Sequence, residues 1–209
     1  MNYFDRPEIS NSDLNNATWA DLQQSRRDRA DGKSEKTAAM ILGTLTHEFI
    51  LERKSDWVED FHIIAEIGGA KPKSTKKFKE WKAEQTLPII SMEEMDLIYR
   101  MSHAVMAKEL LKGEDNEIEK EIYFNFGGWN LRSKLDVVNR NIGYAADLKT
   151  IREISPQSIA QAMRNYNRQA SFYRLAMADG CEEDAMTLDF YFVFVEKKAP
   201  YKVCVVKQS

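Results

Sequence analysis

Cysteine is nearly absent. Cys181 and Cys204 are the only two, too few for the four thiolates that an iron–sulfur cluster usually takes. Their ordinary surroundings point to free thiols and a cytoplasmic setting rather than a disulfide. No run approaches the roughly 20 apolar residues needed to cross a bilayer. The opening MNYFDRPEIS has neither a basic n-region nor an apolar core, so no signal peptide is expected. Positive charge is not in excess either: 30 Lys and Arg stand against 33 Asp and Glu, a net charge of −3, so nothing global advertises nucleic-acid binding. Repeats and low-complexity tracts are also missing.

What is present suits one soluble domain. A hydrophobic fraction of 43% and a charged fraction of 30% are those of a globular protein, and 209 residues suffice for a single core with a helical elaboration. The expected fold class is α/β: a central mixed β-sheet flanked by helices, with residues 1–112 mainly helical and 113–209 forming the sheet-and-helix core.

In the first part, Ile9-Ser10-Asn11-Ser12-Asp13-Leu14 reads as the entry to a short helix, with Ser10 or Ser12 as N-cap. Residues 26–36 read as a charged linker broken at Gly32, and Ser34 as the cap of a helix over 36–53. Phe61-His62-Ile63-Ile64 is a short extended piece, followed by a Gly68-Gly69 break. Lys71, Lys73, Lys76, Lys77, Lys79 and Lys82 crowd one segment with Phe78 and Trp81; they are either a solvated surface or a contact to a nucleic-acid backbone. Ser91 caps a helix over 92–112.

The texture then changes. Residues 117–126 alternate at period two, Gly127-Gly128 is a hairpin turn, and 129–138 and 142–149 read as further strands. A long helix is predicted from Pro156 to Ala178, ending near Gly180. Strands over 188–196 and 201–207 close the chain.

Asp136 and Asp147 are odd residues for strand interiors, because buried carboxylates are costly unless paired or metal-bound. If their strands form a hairpin, the two carboxylates converge. Lys149 lies two residues after Asp147 and so on the same face of an extended strand. Two acids and a lysine on one face suit a hard divalent ion beside a fixed cation, the equipment for hydrolysing a phosphodiester. A plain Asp–Lys ion pair at a strand end is the structural alternative. His47, one turn after Gly43, is either a further ligand or a packed histidine, and the missing Gly43 side chain would let a strand or DNA approach. Gln169 and Tyr173, four apart, share one helical face with Tyr166 beside them. Glu119 is a further ligand or an edge charge.

Taken in order, Gly43…His47, Glu119, Asp136, Asp147-Leu148-Lys149 and Gln169…Tyr173 resemble the motif series of the RecB/RecE-type branch of PD-(D/E)XK nucleases, and residues 9–14 resemble the start of a RecE (exonuclease VIII)-like nuclease domain. The likeness runs from about residue 3 to residue 206. It implies a restriction-endonuclease-like core and a deoxyribonuclease using Mg²⁺, with Mn²⁺ as substitute. Asp136, Asp147, the Leu148 carbonyl and His47 would be metal ligands and Lys149 the catalytic lysine. Gln169 and Tyr173 would place DNA, with Glu119 as an additional ligand that Glu121 rivals. It also implies double-stranded DNA ends as substrate, a toroidal tetramer and a single-strand annealing protein as partner, in phage or mobile-element recombination. A catalytically silent DNA-binding or scaffold protein with the same fold is the alternative. One departure stands out: Leu135-Asp136 lacks the proline that RecE-like sequences often carry there.

Overall fold

The computed structural model describes residues 3, 6–16, 18–31, 37–53, 59, 61–64, 75–111, 113–179 and 189–208. Five long strands form one sheet: β3 (Glu117–Phe126), β4 (Trp129–Asn139), β5 (Tyr144–Ile151), β6 (Asp189–Glu196) and β7 (Val203–Gln208), in that spatial order. Two short strands, β1 (His62–Ile63) and β2 (Ile89–Ile90), pair in parallel as a separate ribbon. The other helices are α1 (Trp19–Ala30), α2 (Ala38–His47), α3 (Lys76–Ala83), α4 (Met92–Met106) and α5 (Pro156–Ala178).

The sheet is mixed, as expected. β3–β4, β4–β5 and β6–β7 are antiparallel; β5–β6 is parallel, and α5 lies in the chain between those two strands. A parallel pair needs such a crossover. The β3–β4 turn falls on Gly127 and Gly128, whose φ of +59° and +80° match the left-handed two-residue turn that the hairpin twist favours. β6 is buried on both faces: Phe190, Phe192 and Phe194 pack toward α5, and Val193 and Val195 toward α4. Its near-continuous apolar run follows from that position.

One layer therefore holds α5, whose Ala162, Ala170 and Met177 meet Leu135, Val138, Ala145 and the β6 phenylalanines. The opposite layer holds α2 and α4, with Leu45, Ile98, Met101 and Val105 against Val137, Ala146 and Leu148. α5 starts where Pro156 predicts, with Ser155 as its cap. Ser155 accepts from the Ser158 N–H, and the Ser158 side chain answers the Ser155 N–H. Ser155→Ala is expected to cost about 1 kcal/mol, read as a small fall in the thermal unfolding midpoint; no fall would mean the cap contributes nothing.

Several local expectations need correction. Residues 26–30 are not linker but the end of α1, because Thr18 and Asp21 form a reciprocal cap that starts a helix there. Ser12 occupies the cap position of a single 3₁₀ turn, Asp13–Asn15, without a side-chain cap bond; Ser10 instead gives both its N–H and its hydroxyl to Asp13. α2 is capped by Thr37 and is α-helical only to His47, after which Glu48–Glu52 continue as a π turn. α4 ends at Met106, short of residue 112, with Glu109–Leu111 forming a 3₁₀ turn. Lys76, Lys77, Lys79 and Lys82 lie on α3, which buries Phe78. Lys71, Lys73, Gly32, Ser34, Gly68, Gly69, Gly180 and Cys181 lie outside the described residues. Among the described residues, no helix is long and apolar enough to cross a membrane.

The N-terminal segment completes the core. β4 pairs with β5 only at Val137, Val138 and Asn139, and beyond them the strands part. Beside the unpaired stretch of β4, Ile9 bridges to Leu131: Ile9 N–H donates to the Asn130 carbonyl at 3.0 Å, and Arg132 N–H to the Ile9 carbonyl at 2.9 Å. Asp13, 3% exposed, locks the segment down through Arg26 at 3.1 Å, Arg29 at 2.9 Å and the buried Arg132 at 3.7 Å. Burial alone would raise the Asp13 pKa, but the Ser10 N–H, Arg29 and Arg26 outweigh it and hold the carboxylate below its ordinary range.

Candidate active site

The fork between β4 and β5 is the organising feature. The register of their hairpin, Val137 to Ala146, sets Asp136 opposite Asp147 on the next rung, just where pairing stops. The Leu148 N–H, no longer answered by β4 backbone, donates to Asp136 Oδ2 at 2.7 Å. The conditional convergence of the two acids is thus met: both are buried, and the charge of Asp147 acts directly on Asp136.

The pleat also breaks here. In a regular strand, residues two or four apart share a face. Leu135 packs in the α5 layer, yet Val137 packs in the α4 layer; on β3, Ile118 lies with the α4 layer and Ile122 with the α5 layer. The two breaks face each other across the β3–β4 register, at Asp136 and at Glu119. Glu119 adopts φ +52°, a left-handed backbone that a non-glycine residue takes only when its surroundings impose it. Its carboxylate, Asp136 and one His47 ring nitrogen offer ligand atoms that all lie within 4.8 Å of one another. Glu121, two residues on, is exposed and bonds the Tyr123 hydroxyl, so of the two it is Glu119 that lies beside Asp136 and His47. His47 Nδ1 stands 3.3 Å from Asp136 Oδ2 and reaches it from the end of α2. Among the described residues, a Cβ built on Gly43 would meet nothing within 4 Å, so of the two expected approaches, by a strand or by DNA, no strand makes one there.

Asp147 is outside that trio and faces other partners. Its Oδ2 lies 2.5 Å from Lys149 Nζ, which confirms that the two share a strand face. That contact is a charge pair on a buried carboxylate oxygen. Its Oδ1 accepts from Gln169 Nε2 at 2.9 Å, and the same amide nitrogen donates to the Tyr173 hydroxyl at 2.9 Å. Gln169 and Tyr173 therefore act as one unit on α5, with Tyr166 beneath the Lys149 ammonium at 5.2 Å from the ring centre. Gln169, Tyr173 and Tyr166 also line a polar cavity of about 440 Å³, together with Ser10, Asn11 and Ser12.

The electrostatics are those of a cation site. Burial and then the Asp147 charge push the Asp136 carboxyl up to about 6, with His47 and Lys149 opposing. Burial pulls Lys149 down, but Asp147 and Asp136 together outweigh it, so its pKa rises and it stays an ammonium. Tyr173, pushed well above its ordinary value by burial and by the same two carboxylates, remains a neutral phenol. The donor set of His47, Glu119 and Asp136 is oxygen-rich with one imidazole, and the buried Asp147 carboxylate beside it already holds one cation, Lys149. These features fit a hard divalent cation such as Mg²⁺ or Mn²⁺.

Sequence reading missed Lys134, whose Nζ lies 2.5 Å from Glu119 Oε2. The signal was available: Lys134 stands two residues before Asp136 on the same strand. The Asp13–Arg132 lock was also missed, and no local pattern links those residues.

Comparison with known proteins follows the same lines. A family model described as a PDDEXK-like domain of unknown function (DUF3799) matches residues 13–208. No curated protein matches the sequence. Among solved structures, a "Putative exonuclease" from Eubacterium rectale superposes over 97% of this chain and 73% of its own, with a TM-score of 0.61 at 16% identity; at that identity it speaks to the fold alone. SSO0001 aligns over 80% of this chain and 74% of its own at 16% identity, but its TM-score of 0.33 carries no weight.

Proposed function

Since the chain belongs to the PDDEXK-like family whose model covers residues 13–208, and has that superfamily's restriction-endonuclease-like α/β core, we propose that it is a metal-dependent deoxyribonuclease. The observation that carries this reading is the fork of β4 and β5, which sets Asp136 opposite Asp147 with Lys149 on the Asp147 face. A fold kept for binding alone would have no need to hold two buried carboxylates opposite each other at a cost in stability.

The proposed roles draw on the geometry and on the family resemblance together. His47, Glu119 and Asp136 would hold the divalent ion, with Asp147 and the Leu148 carbonyl completing its surroundings. Bound there, the ion supplies positive charge to the phosphate and acidifies a water. Lys149, fixed as an ammonium, sits beside the acids to neutralise charge that develops on the phosphate oxygens. Gln169 holds Asp147 in place and, with Tyr173, offers polar groups to a strand lying in the adjacent cavity. Hydrolysis would leave a 5′-phosphate and a 3′-hydroxyl. The finer form of the reading is RecE-like exonuclease action on double-stranded ends, in a ring-shaped tetramer, producing single strands for an annealing partner during recombination.

Linear duplex, circular duplex, single-stranded DNA and RNA, each incubated with Mg²⁺ or with chelator, test it. The expected outcome is metal-dependent loss of linear duplex while the circle is spared. Cleavage of circles would overturn the exonuclease form, and inert protein on every DNA would leave the silent scaffold as the better reading. A monomer in light scattering would remove the tetramer.

A further inference from the structure

We propose that Lys134 is an exchangeable cation: it neutralises Glu119 until a divalent ion takes that carboxylate, and its released ammonium then serves a DNA phosphate in the neighbouring polar cavity, so that metal and DNA binding reinforce each other. The inference rests on the metal-dependent nuclease reading above.

Glu119 cannot serve two cations at full strength. Its Oε2 touches Lys134 Nζ at 2.5 Å, yet its carboxylate is also one of the three groups gathered within 4.8 Å of one another. A divalent ion among those groups would repel an ammonium held at contact distance from one of them. Of the two lysines on the acids, Lys134 is the one able to leave. Its side chain is 31% exposed against 19% for Lys149, and its partner Glu119 is 23% exposed against 1% for Asp147. A lysine carries its charge on a flexible four-carbon stem, so moving it requires no backbone change.

The destination is also in place. Lys134 already lines the polar cavity of about 440 Å³ shared with Gln169 and Tyr173. Among the described residues lining that cavity none is acidic, and Arg168 adds a second positive charge. An anion suits those walls. A phosphate that draws Lys134 into the cavity strips Glu119 of its counterion, and loading Glu119 frees Lys134 for the phosphate. Linkage requires the two effects to be equal.

The test is Mn²⁺ binding followed by calorimetry or electron paramagnetic resonance, with and without a short duplex whose phosphorothioate linkages resist cleavage. In the wild type, DNA should tighten Mn²⁺ binding about tenfold. Lys134→Met should bind Mn²⁺ about tenfold more tightly than wild type without DNA, and should show almost no further gain when DNA is added. Lys134→Arg, which keeps the charge, should keep the coupling. A Met variant that retains the full DNA-dependent gain, or that binds Mn²⁺ no more tightly than wild type, overturns the proposal while leaving the nuclease reading intact. A wild type that binds no Mn²⁺ and cuts no DNA overturns both.

Discussion

Lys149→Met is expected to lower metal-dependent DNA cleavage about 10²- to 10³-fold, the loss typical when a preorganised positive group is removed from a reacting oxyanion. The same substitution should destabilise the protein in chelator. Asp147 is 1% exposed, and Lys149 is the cation at its Oδ2. Removing one partner of a buried pair leaves the other charge stranded, at a cost of about 3 kcal/mol or more. A divalent ion can take over that neutralisation, so the melting temperature of the variant should recover with Mn²⁺ further than the wild type gains, while cleavage stays low. Thermal unfolding in chelator and in Mn²⁺, beside a cleavage assay, separates the two roles. Wild-type cleavage in the variant would remove Lys149 from the reaction. Because its own pKa is raised, Lys149 is charged throughout the usual assay range, and a rise of activity with pH would not report its deprotonation.

Asp136→Asn should abolish metal-dependent cleavage and yet stabilise the metal-free protein near neutral pH. Burial and the Asp147 charge raise the Asp136 pKa from 3.8 to about 6. A carboxyl whose folded-state pKa exceeds its unfolded value binds its proton more tightly when folded. Its contribution to stability is complete below the unfolded pKa and is lost as the pH rises through the folded one. For Asp136 the window is therefore from 3.8 to about 6, and above it the folded protein carries the whole penalty. That penalty is on the order of 3 kcal/mol, or several degrees at roughly 2–4 °C per kcal/mol for a chain of this size. Asparagine keeps an oxygen for the Leu148 N–H and carries no charge, so in chelator the variant should melt higher than wild type at pH 7 and at nearly the same temperature at pH 4. Divalent metal should erase or reverse the difference at pH 7. A variant that melts lower than wild type at pH 7 in chelator would show that Asp136 is not a strained acid.

Much of the sheet is legible in the sequence for reasons that are local. β3 and β4 alternate at period two around two glycines whose positive φ a hairpin turn requires. α5 carries its start signal in Pro156 and runs to Ala178, the end expected just ahead of Gly180. α1 was hidden because its cap, Thr18 with Asp21, opens a polar stretch with only Leu22 buried. β2 was hidden because two residues make no pattern; its strand character comes from His62 and Ile63 lying alongside.

Within the candidate site, the amino-acid order alone sets Asp147 and Lys149 on one face and Gln169 and Tyr173 on one helical stripe, because those pairings depend only on the repeat of a strand or a helix. Tertiary structure decided the rest. Asp136 meets Asp147 because the hairpin register and the parting of β4 from β5 bring them together, and Glu119 rather than Glu121 joins Asp136 and His47 because the pleat reverses at a left-handed residue. Lys134 on Glu119, and Arg132 on Asp13 across more than a hundred residues, are decided the same way. Such contacts depend on how distant segments close on one another, and no local periodicity encodes that closure.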